Sequence, residues 1–214
     1  MSEQKIVVSN SSVEIDPKVK EALTKELTNI NYAKTTVNDL KKYIEKGIST
    51  ETKDSCNETP LIKAILADNM AVTEYLVSQS ADMYATNLSG QTSMMLCAKK
   101  GWMETAKKMF EKGYDINREV PSTHQSVLTV AIWNHQLDMV KWLLQNGSDV
   151  NRLDNLKWTP LMIASYVGSV DIVQELLKYH ADISQKNNRG MTALDLATFY
   201  KHEKIVKILS DNVK

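Results

Sequence analysis

Glycine, proline and cysteine are scarce in this chain of 214 residues, which contains seven glycines, four prolines and two cysteines. The two cysteines, Cys56 and Cys97, cannot build a disulfide framework, and there is no C-x-x-C pair for zinc or redox chemistry. So few turn-forming residues imply either few loops or many copies of one short loop.

Charge of one sign and long apolar runs are also missing. Lys and Arg together number 26, as do Asp and Glu, so the formal net charge is zero. Such a chain has no long-range attraction for nucleic acid or for an anionic membrane. The first eight residues lack the basic start and apolar run of a secretory signal, and no stretch approaches the roughly 20 apolar residues of a membrane span. We therefore expect a cytoplasmic protein that binds neither nucleic acid nor membrane.

One pattern recurs with a fixed period along most of the chain. A Thr or Ser opens each unit, and the steps between them are 33, 34, 33 and 33 residues. A small residue follows five positions later and an apolar residue seventeen positions later. Several columns with one period are typical of repeat architectures. In chain order the columns are Thr59, Thr92, Ser126, Thr159 and Thr192; Ala64, Cys97, Ala131, Ala164 and Ala197; and Leu76, Met109, Leu143, Leu176 and Leu209.

Each column has a physical role in a unit of two helices joined by a tight turn. The Thr or Ser caps the first helix, and a proline directly after it fits the first helical position. The small residue allows the second helix to approach closely. A residue in the left-handed conformation then ends the second helix. Two helices in 33 residues cannot bury their apolar faces alone, so neighbouring units must stack. The residues that end the second helix are Gly47, Ser80, Gly113, Gly147 and His180.

These residues resemble the ankyrin repeat family. The resemblance implies an all-α ankyrin-repeat solenoid of stacked antiparallel helix pairs, linked by β-turn or hairpin fingers. We predict a tail at 1–16, a degenerate capping repeat at 17–53, ankyrin repeats at 54–86, 87–119, 120–153 (with one inserted residue) and 154–186, and a C-terminal capping repeat at 187–214. The motifs that carry the resemblance are Thr59-Pro60-Leu61, Ala81-Asp82, Gly90-Gln91-Thr92, Trp158-Thr159-Pro160-Leu161, Gly168, Ala181-Asp182 and Gly190-Met191-Thr192.

The sequence departs from the family pattern in two places. The family usually has His directly after Thr-Pro-Leu, where it ties neighbouring repeats by hydrogen bonds. We expect that network to be absent or replaced, with the stack depending more on packing. The inserted residue near 121–124 predicts an irregular finger. The residues in the His position are Ile62, Met95, Thr129, Met162 and Asp195.

The motifs of catalysis are absent from the sequence. There is no Gly-rich phosphate loop and no G-x-S-x-G elbow. The four histidines lie at predicted helix ends or in a finger, which favours structural roles over metal ligation. Cys97 falls in the small-residue column, which predicts a buried structural thiol. We therefore expect no enzyme, no cofactor and no metal.

Candidate contact residues follow from their position within the repeat. The resemblance implies that the residues seven and eight positions after each Thr or Ser, and the finger residue before it, face a concave groove. Aromatic side chains in such a place dominate binding energy at protein interfaces. The candidate partner-binding residues are Trp133, Trp158, Tyr166, Phe199, Tyr200, Lys99, Lys100, Leu66, Gln91 and Met191.

Three interpretations of function remain open from sequence alone. The resemblance implies a monomeric, non-enzymatic scaffold or interaction module for a protein partner of unknown identity, and Lys99 and Lys100 suggest an acidic edge on that partner. The first alternative is a dedicated inhibitor or immunity-type protein that masks one enzyme or effector. The second is an enzyme or small-ligand binder without recognisable motifs. The rings could also pack only between neighbouring helices, in which case they would bind nothing.

Overall fold

The computed structural model of the protein describes residues 15–118, 120 and 124–212. This part of the chain contains twelve α-helices and no β-strand, which confirms the all-α prediction. Most of the tail predicted at 1–16, and of the irregular finger predicted near 121–124, lies outside the described residues. The helices are α1 Pro17–Asn29, α2 Val37–Ile44, α3 Pro60–Leu66, α4 Met70–Ser78, α5 Ser93–Lys100, α6 Met103–Glu111, α7 Val127–Trp133, α8 Leu137–Gln145, α9 Pro160–Val167, α10 Val170–Lys178, α11 Ala193–Phe199 and α12 Glu203–Asn212.

The recurring Thr or Ser caps the first helix of each repeat from α3 onward. In α9, for example, Thr159 Oγ1 accepts a hydrogen bond from the amide of Met162 at 3.1 Å, and Pro160 occupies the first helical position. In α11 the carboxylate of Asp195 also accepts from the amide of Thr192 at 2.8 Å, which completes a capping box. The short helices therefore begin where the period places their caps.

The second helix of each repeat ends at the predicted turn residue. Gly147 has φ +84°, and His180, which is not a glycine, adopts φ +62° at the same position. The next amide folds back onto the helix, as Ser148 shows by donating to the carbonyl of Leu143 at 2.9 Å. This geometry satisfies carbonyls that a helix end leaves without partners.

The helix pairs stack into two layers. The first helices α3, α5, α7, α9 and α11 pack side by side, each against the next, and the second helices form the other layer. Between the layers lies one continuous cluster of buried apolar side chains. The small residues of the repeat are completely buried at this interface, where they let the helices approach: Ala64, Cys97, Ala131, Ala164 and Ala197.

A column of side chains ties each repeat to the next by hydrogen bonds. Asn117 shows the pattern: its Nδ2 donates to the carbonyl of Gly147 at 2.8 Å, and its Oδ1 accepts from the amide of Asp149 at 2.9 Å. The stack therefore does not depend on packing alone. At the same position in other repeats, a side-chain oxygen accepts from the corresponding amide of the next repeat at 2.7 to 3.1 Å. These bonds join Glu51 Oε1 to Asp82, Tyr84 Oη to Asp115 and Asn151 Oδ1 to Asp182.

A second tie reaches back to the end of the preceding first helix. The Nε2 of Gln136 donates to the carbonyl of Lys99 at 3.2 Å. Two repeats further along the chain, His202 Nε2 lies 3.0 Å from the carbonyl of Tyr166. These bonds fix the helix ends that carry the candidate contact residues.

Candidate functional site

The described fingers are built by one recurring turn. In each, a side-chain oxygen accepts from the amides two and four residues later, as Asp154 Oδ1 does from Leu156 and Trp158, both at 2.8 Å. A residue with positive φ follows in the turn, and Lys157 adopts +57° where Gly190 has +73°. This turn fixes the residue that precedes each capping Thr. The oxygen is supplied by Asp54, Asn87, Asp154 and Asn187.

Neighbouring fingers are hydrogen-bonded to one another. The amide of Asn188 donates to the carbonyl of Leu156 at 3.0 Å, and that of Leu88 donates to the carbonyl of Cys56 at 3.3 Å. The last two fingers therefore form a continuous wall beside the ends of α9 and α11.

Five aromatic rings meet against this wall, and we call them the ring cluster: Trp133, Trp158, Tyr166, Phe199 and Tyr200. Tyr166 is at its centre, with its ring centroid 5.4 Å from Trp133, 5.5 Å from Trp158 and 4.5 Å from Tyr200. All contacts are edge-to-face, the arrangement that aromatic pairs favour. Three rings therefore lie closer to Tyr166 than the roughly 10 Å between packed helices, and Phe199 joins the cluster through Tyr200 at 5.0 Å.

The members of the ring cluster differ in exposure. Phe199 is 69% exposed, Tyr200 42% and Trp133 40%, whereas Tyr166 and Trp158 are half-buried. Tyr166 therefore has a packing role, as the alternative interpretation of the rings required. The three outer rings still present large apolar surfaces to solvent.

The ring cluster lines a groove of about 500 Å³ together with Met191. Sequence reasoning missed the other five residues of its lining. Two of them, Leu156 and Arg189, occupy the same finger position, two residues after the Asx oxygen, so the turn itself was the signal. The missed residues are Asp154, Leu156, Asn188, Arg189 and Leu196.

The remaining candidates lie outside this groove. Lys99 and Gln91 line a second recess of about 290 Å³, which shares Trp133 with the groove. Lys100 Nζ instead bonds to Asp68 Oδ1 at 2.5 Å and lies over the ring of Trp102 at 5.6 Å. Leu66, 41% exposed on α3, lines neither cavity.

Burial raises the pKa of two side chains, one in the ring cluster and one in the core. Desolvation, together with a hydrogen bond to Tyr166, raises the pKa of the Tyr200 phenol, and the positive charge of Arg189 opposes that shift. In the core, burial raises the pKa of the Cys97 thiol to about 12, so this thiol stays protonated and unreactive.

The N-terminal end of the helix layer carries a compact ion pair. Lys63 Nζ lies 2.6 Å from Asp54 Oδ2 and donates to the carbonyl of Thr28 at 2.6 Å. Burial acts to raise the pKa of Asp54, but bonds from Lys63 and from the amides of Glu58 and Cys56 outweigh it and lower that pKa. Desolvation and the charge of Asp54 raise the pKa of Glu58.

The described residues contain neither a candidate metal cluster nor a candidate membrane span. No three side chains of His, Cys, Asp or Glu there lie close enough together to hold a metal ion. None of the helices described above is both long enough and apolar enough to cross a membrane.

Comparison with known proteins identifies the family. A family model described as ankyrin repeats (3 copies) matches residues 28–120 and 128–214. The chain is similar to a putative ankyrin repeat protein of Rickettsia bellii, with 26% identity over 155 residues, which is 70% of this chain and 83% of that protein.

Other relatives share only a segment. The chain is 26% identical to an L-asparaginase of Dirofilaria immitis over 58% of its own length and 21% of that protein. It is 30% identical to ankyrin repeat and SOCS box protein 6 of Mus musculus over 45% of its own length and 23% of that protein. The chain thus spans less than a quarter of these two relatives. Because the family model covers most of the chain, and the capped helix pairs recur at its period, the chain belongs to the ankyrin repeat family.

Proposed function

We propose that this chain is a non-enzymatic module that binds a protein partner in the groove lined by the ring cluster. Ankyrin repeats indicate a protein–protein interaction module. The observation that supports this particular surface is the exposure of three adjoining rings, Trp133, Phe199 and Tyr200, in one groove. A surface patch of this kind is typical of interaction sites.

The energy available from covering these rings is large. A fully buried aromatic side chain removes about 150–250 Å² from water, and apolar burial contributes about 25 cal/mol per Å². With 40 to 69% of each ring exposed, a partner that covers one of them gains about 2–4 kcal/mol from it. Contributions of this size are those of interface hot spots.

The composition of the groove supports binding rather than catalysis. Among the described residues that line it there is no His, Cys, Ser, Thr or Lys, the residue types that most often supply a nucleophile and its base. The one carboxylate, that of Asp154, has an oxygen committed to the finger turn. The similarity to an L-asparaginase covers a fifth of that protein and gives no reason to propose its activity here.

The test is a double variant, Trp133→Ala with Phe199→Ala, used as bait in the source cell with quantitative mass spectrometry. Tyr166 is left intact because its ring packs against three others. The matched control is Met70→Ala, a 44% exposed apolar residue on α4. We expect a partner retained by the wild type and the control and lost with the double variant, at similar melting temperatures. Equal recovery by all three baits would contradict the proposal.

If the partner is a single enzyme or effector that the module inhibits, one further result is expected. A single enzyme or effector should then co-purify in equimolar amount, and its activity should return when the double variant replaces the wild type. A scaffold would instead recover several partners without inhibiting any of them.

A further inference from the structure

We propose that the groove takes an extended acidic–apolar segment: one bulky apolar side chain against the ring cluster, with carboxylates on either side that pair with Lys99 and Arg189. This inference rests on the proposed function and specifies the chemistry of the partner. It commits to a protein segment because both cavities are arranged along the stack of repeats.

Arg189 supplies the positive charge on one side of the rings. It is an exposed residue of the last finger, it lines the groove, and it is close enough to the Tyr200 ring to influence the titration of that phenol. Arginine binds carboxylates through two parallel hydrogen bonds and also stacks on aromatic faces. It is therefore suited to a carboxylate that arrives next to an apolar anchor.

Lys99 supplies the charge on the other side. It is exposed at the end of α5 and lines the second recess with the polar side chains of Gln91 and Asn134. Trp133 borders both cavities. A chain that leaves the ring cluster toward the N-terminal repeats therefore passes from an apolar surface to a polar, positively charged one.

Four of the carboxylates on this side of the stack already have partners, and Glu58 in the first finger is not one of them. Asp68 is paired with Lys100, Asp54 with Lys63, and Asp195 accepts from the amide and hydroxyl of Thr192. Asp154 Oδ1 accepts from two amides in its finger. Within the described residues, by contrast, neither Lys99 nor Arg189 forms an ion pair. The charges of Lys99 and Arg189 are therefore available to a partner beside the ring cluster, and they favour carboxylates.

The geometry also sets a spacing. Successive repeats lie about 10 Å apart, the distance between packed helices. An extended chain advances about 3.3–3.6 Å per residue. Lys99 is two repeats, about 20 Å, from Tyr166 at the centre of the ring cluster. The carboxylate that meets Lys99 should therefore lie about six residues from the apolar anchor, while the carboxylate that meets Arg189 should be next to it on the other side.

The experiment uses a phage-displayed library of random 12-residue peptides, selected on the wild-type chain. The enriched peptides are made with a fluorescent label and titrated by polarisation. We expect sequences with Leu, Phe or Trp about six residues from one Asp or Glu and next to another on the opposite side. Lys99→Gln or Arg189→Gln should weaken their binding about fivefold each, the upper range for one partly exposed ion pair. High salt should weaken binding to the wild type more than binding to the double charge variant.

Two control variants separate charge from structure. Lys207→Gln removes the same charge from an exposed site on α12 and should leave the affinity unchanged. Lys204→Gln, at a second exposed site on α12 that lines neither cavity, should also leave the affinity unchanged.

The results separate this inference from the proposed function. Peptides that require Trp133 and Phe199 but carry neutral or basic flanks would overturn the acidic–apolar assignment and leave groove binding intact. Enriched peptides that bind equally to the Trp133→Ala and Phe199→Ala double variant, or a failure to enrich any, would overturn both.

Discussion

Replacing Gly168 by alanine should destabilise the protein more than the same change at another left-handed glycine. Gly168 ends α9 with φ +76°, and a Cβ placed on it would lie 2.6 Å from Cε1 and 2.9 Å from Nδ1 of His202. Real Cβ atoms do not approach so closely, so the imidazole must move. That ring is the one whose Nε2 meets the carbonyl of Tyr166 at 3.0 Å.

The magnitude follows from two contributions. A left-handed conformation costs a non-glycine residue roughly 1–2 kcal/mol. Losing the bond between His202 and the Tyr166 carbonyl adds about 0.5–1.5 kcal/mol. We therefore expect Gly168→Ala to lower the free energy of unfolding by about 1.5–3.5 kcal/mol. Gly147→Ala is the control, because its φ is +84° but no atom lies within 4 Å of the added Cβ, so it should cost only about 1–2 kcal/mol.

A compensating change is suggested by another repeat of the chain. His135 occupies the position of Gly168 with φ +55°, and the next repeat there presents the small Ser169, whose Oγ lies 2.6 Å from His135 Nδ1. Changing His202 to Ser should therefore make room for a side chain at 168. The double variant Gly168→Ala with His202→Ser should cost at least about 1 kcal/mol less than the sum of the two single changes.

Urea unfolding followed by far-UV circular dichroism measures all four free energies. The reasoning would be refuted if Gly168→Ala cost no more than Gly147→Ala, or if the two changes at 168 and 202 were additive. Either result would mean that the contact between these repeats relaxes without loss.

Two further changes test the ties and the core. Asn117→Ala removes two bonds between repeats and should cost about 1–3 kcal/mol in urea unfolding. Ser184→Ala, at the same repeat position but with its hydroxyl bonded to the adjacent Asp182, should cost less than about 0.5 kcal/mol. Burial raises the pKa of Cys97 from 9.0 to about 12, so above pH 9 only the unfolded thiol releases its proton. Stability then falls by up to about 1.4 kcal/mol per pH unit, and Cys97→Ala should show a shallower fall between pH 9 and 10.5.

The backbone of each repeat could be predicted because it is set by interactions within a few residues. The cap at Thr159 depends on an amide three residues away, and the end of α8 depends on Gly147 itself. A fixed period repeats these local rules, so the positions of the helices followed from residue type and spacing. Residues other than glycine can also occupy these turn positions, since His180 and Lys157 both adopt the conformation expected of glycine.

The geometry of the site could be predicted only in part. Spacing placed Trp133, Tyr166 and Phe199 at one repeat position, but the contacts of Tyr166 with Trp133 and Tyr200 depend on side-chain rotamers and on neighbours 33 or more residues away. Lys100 shares that side of the stack by position, yet Asp68 of the preceding repeat holds its ammonium group. Such partners belong to other repeats, and the spacing within one repeat does not reveal them.

The same dependence explains which residues follow the first helices. At the position directly after the first helix, glycine occurs where a long side chain of the next repeat packs against it. Gln136 packs against Gly101, and His202 packs against Gly168. Where His135 occupies this position, the next repeat places the small Ser169 beside it. The carbonyls fixed by the long side chains belong to Lys99 and Tyr166, a residue of the second recess and the centre of the ring cluster. At Gly101, His135 and Gly168 the turn residue therefore matches the side chain of the repeat that follows it, and the contacts that require glycine also hold two carbonyls beside the groove.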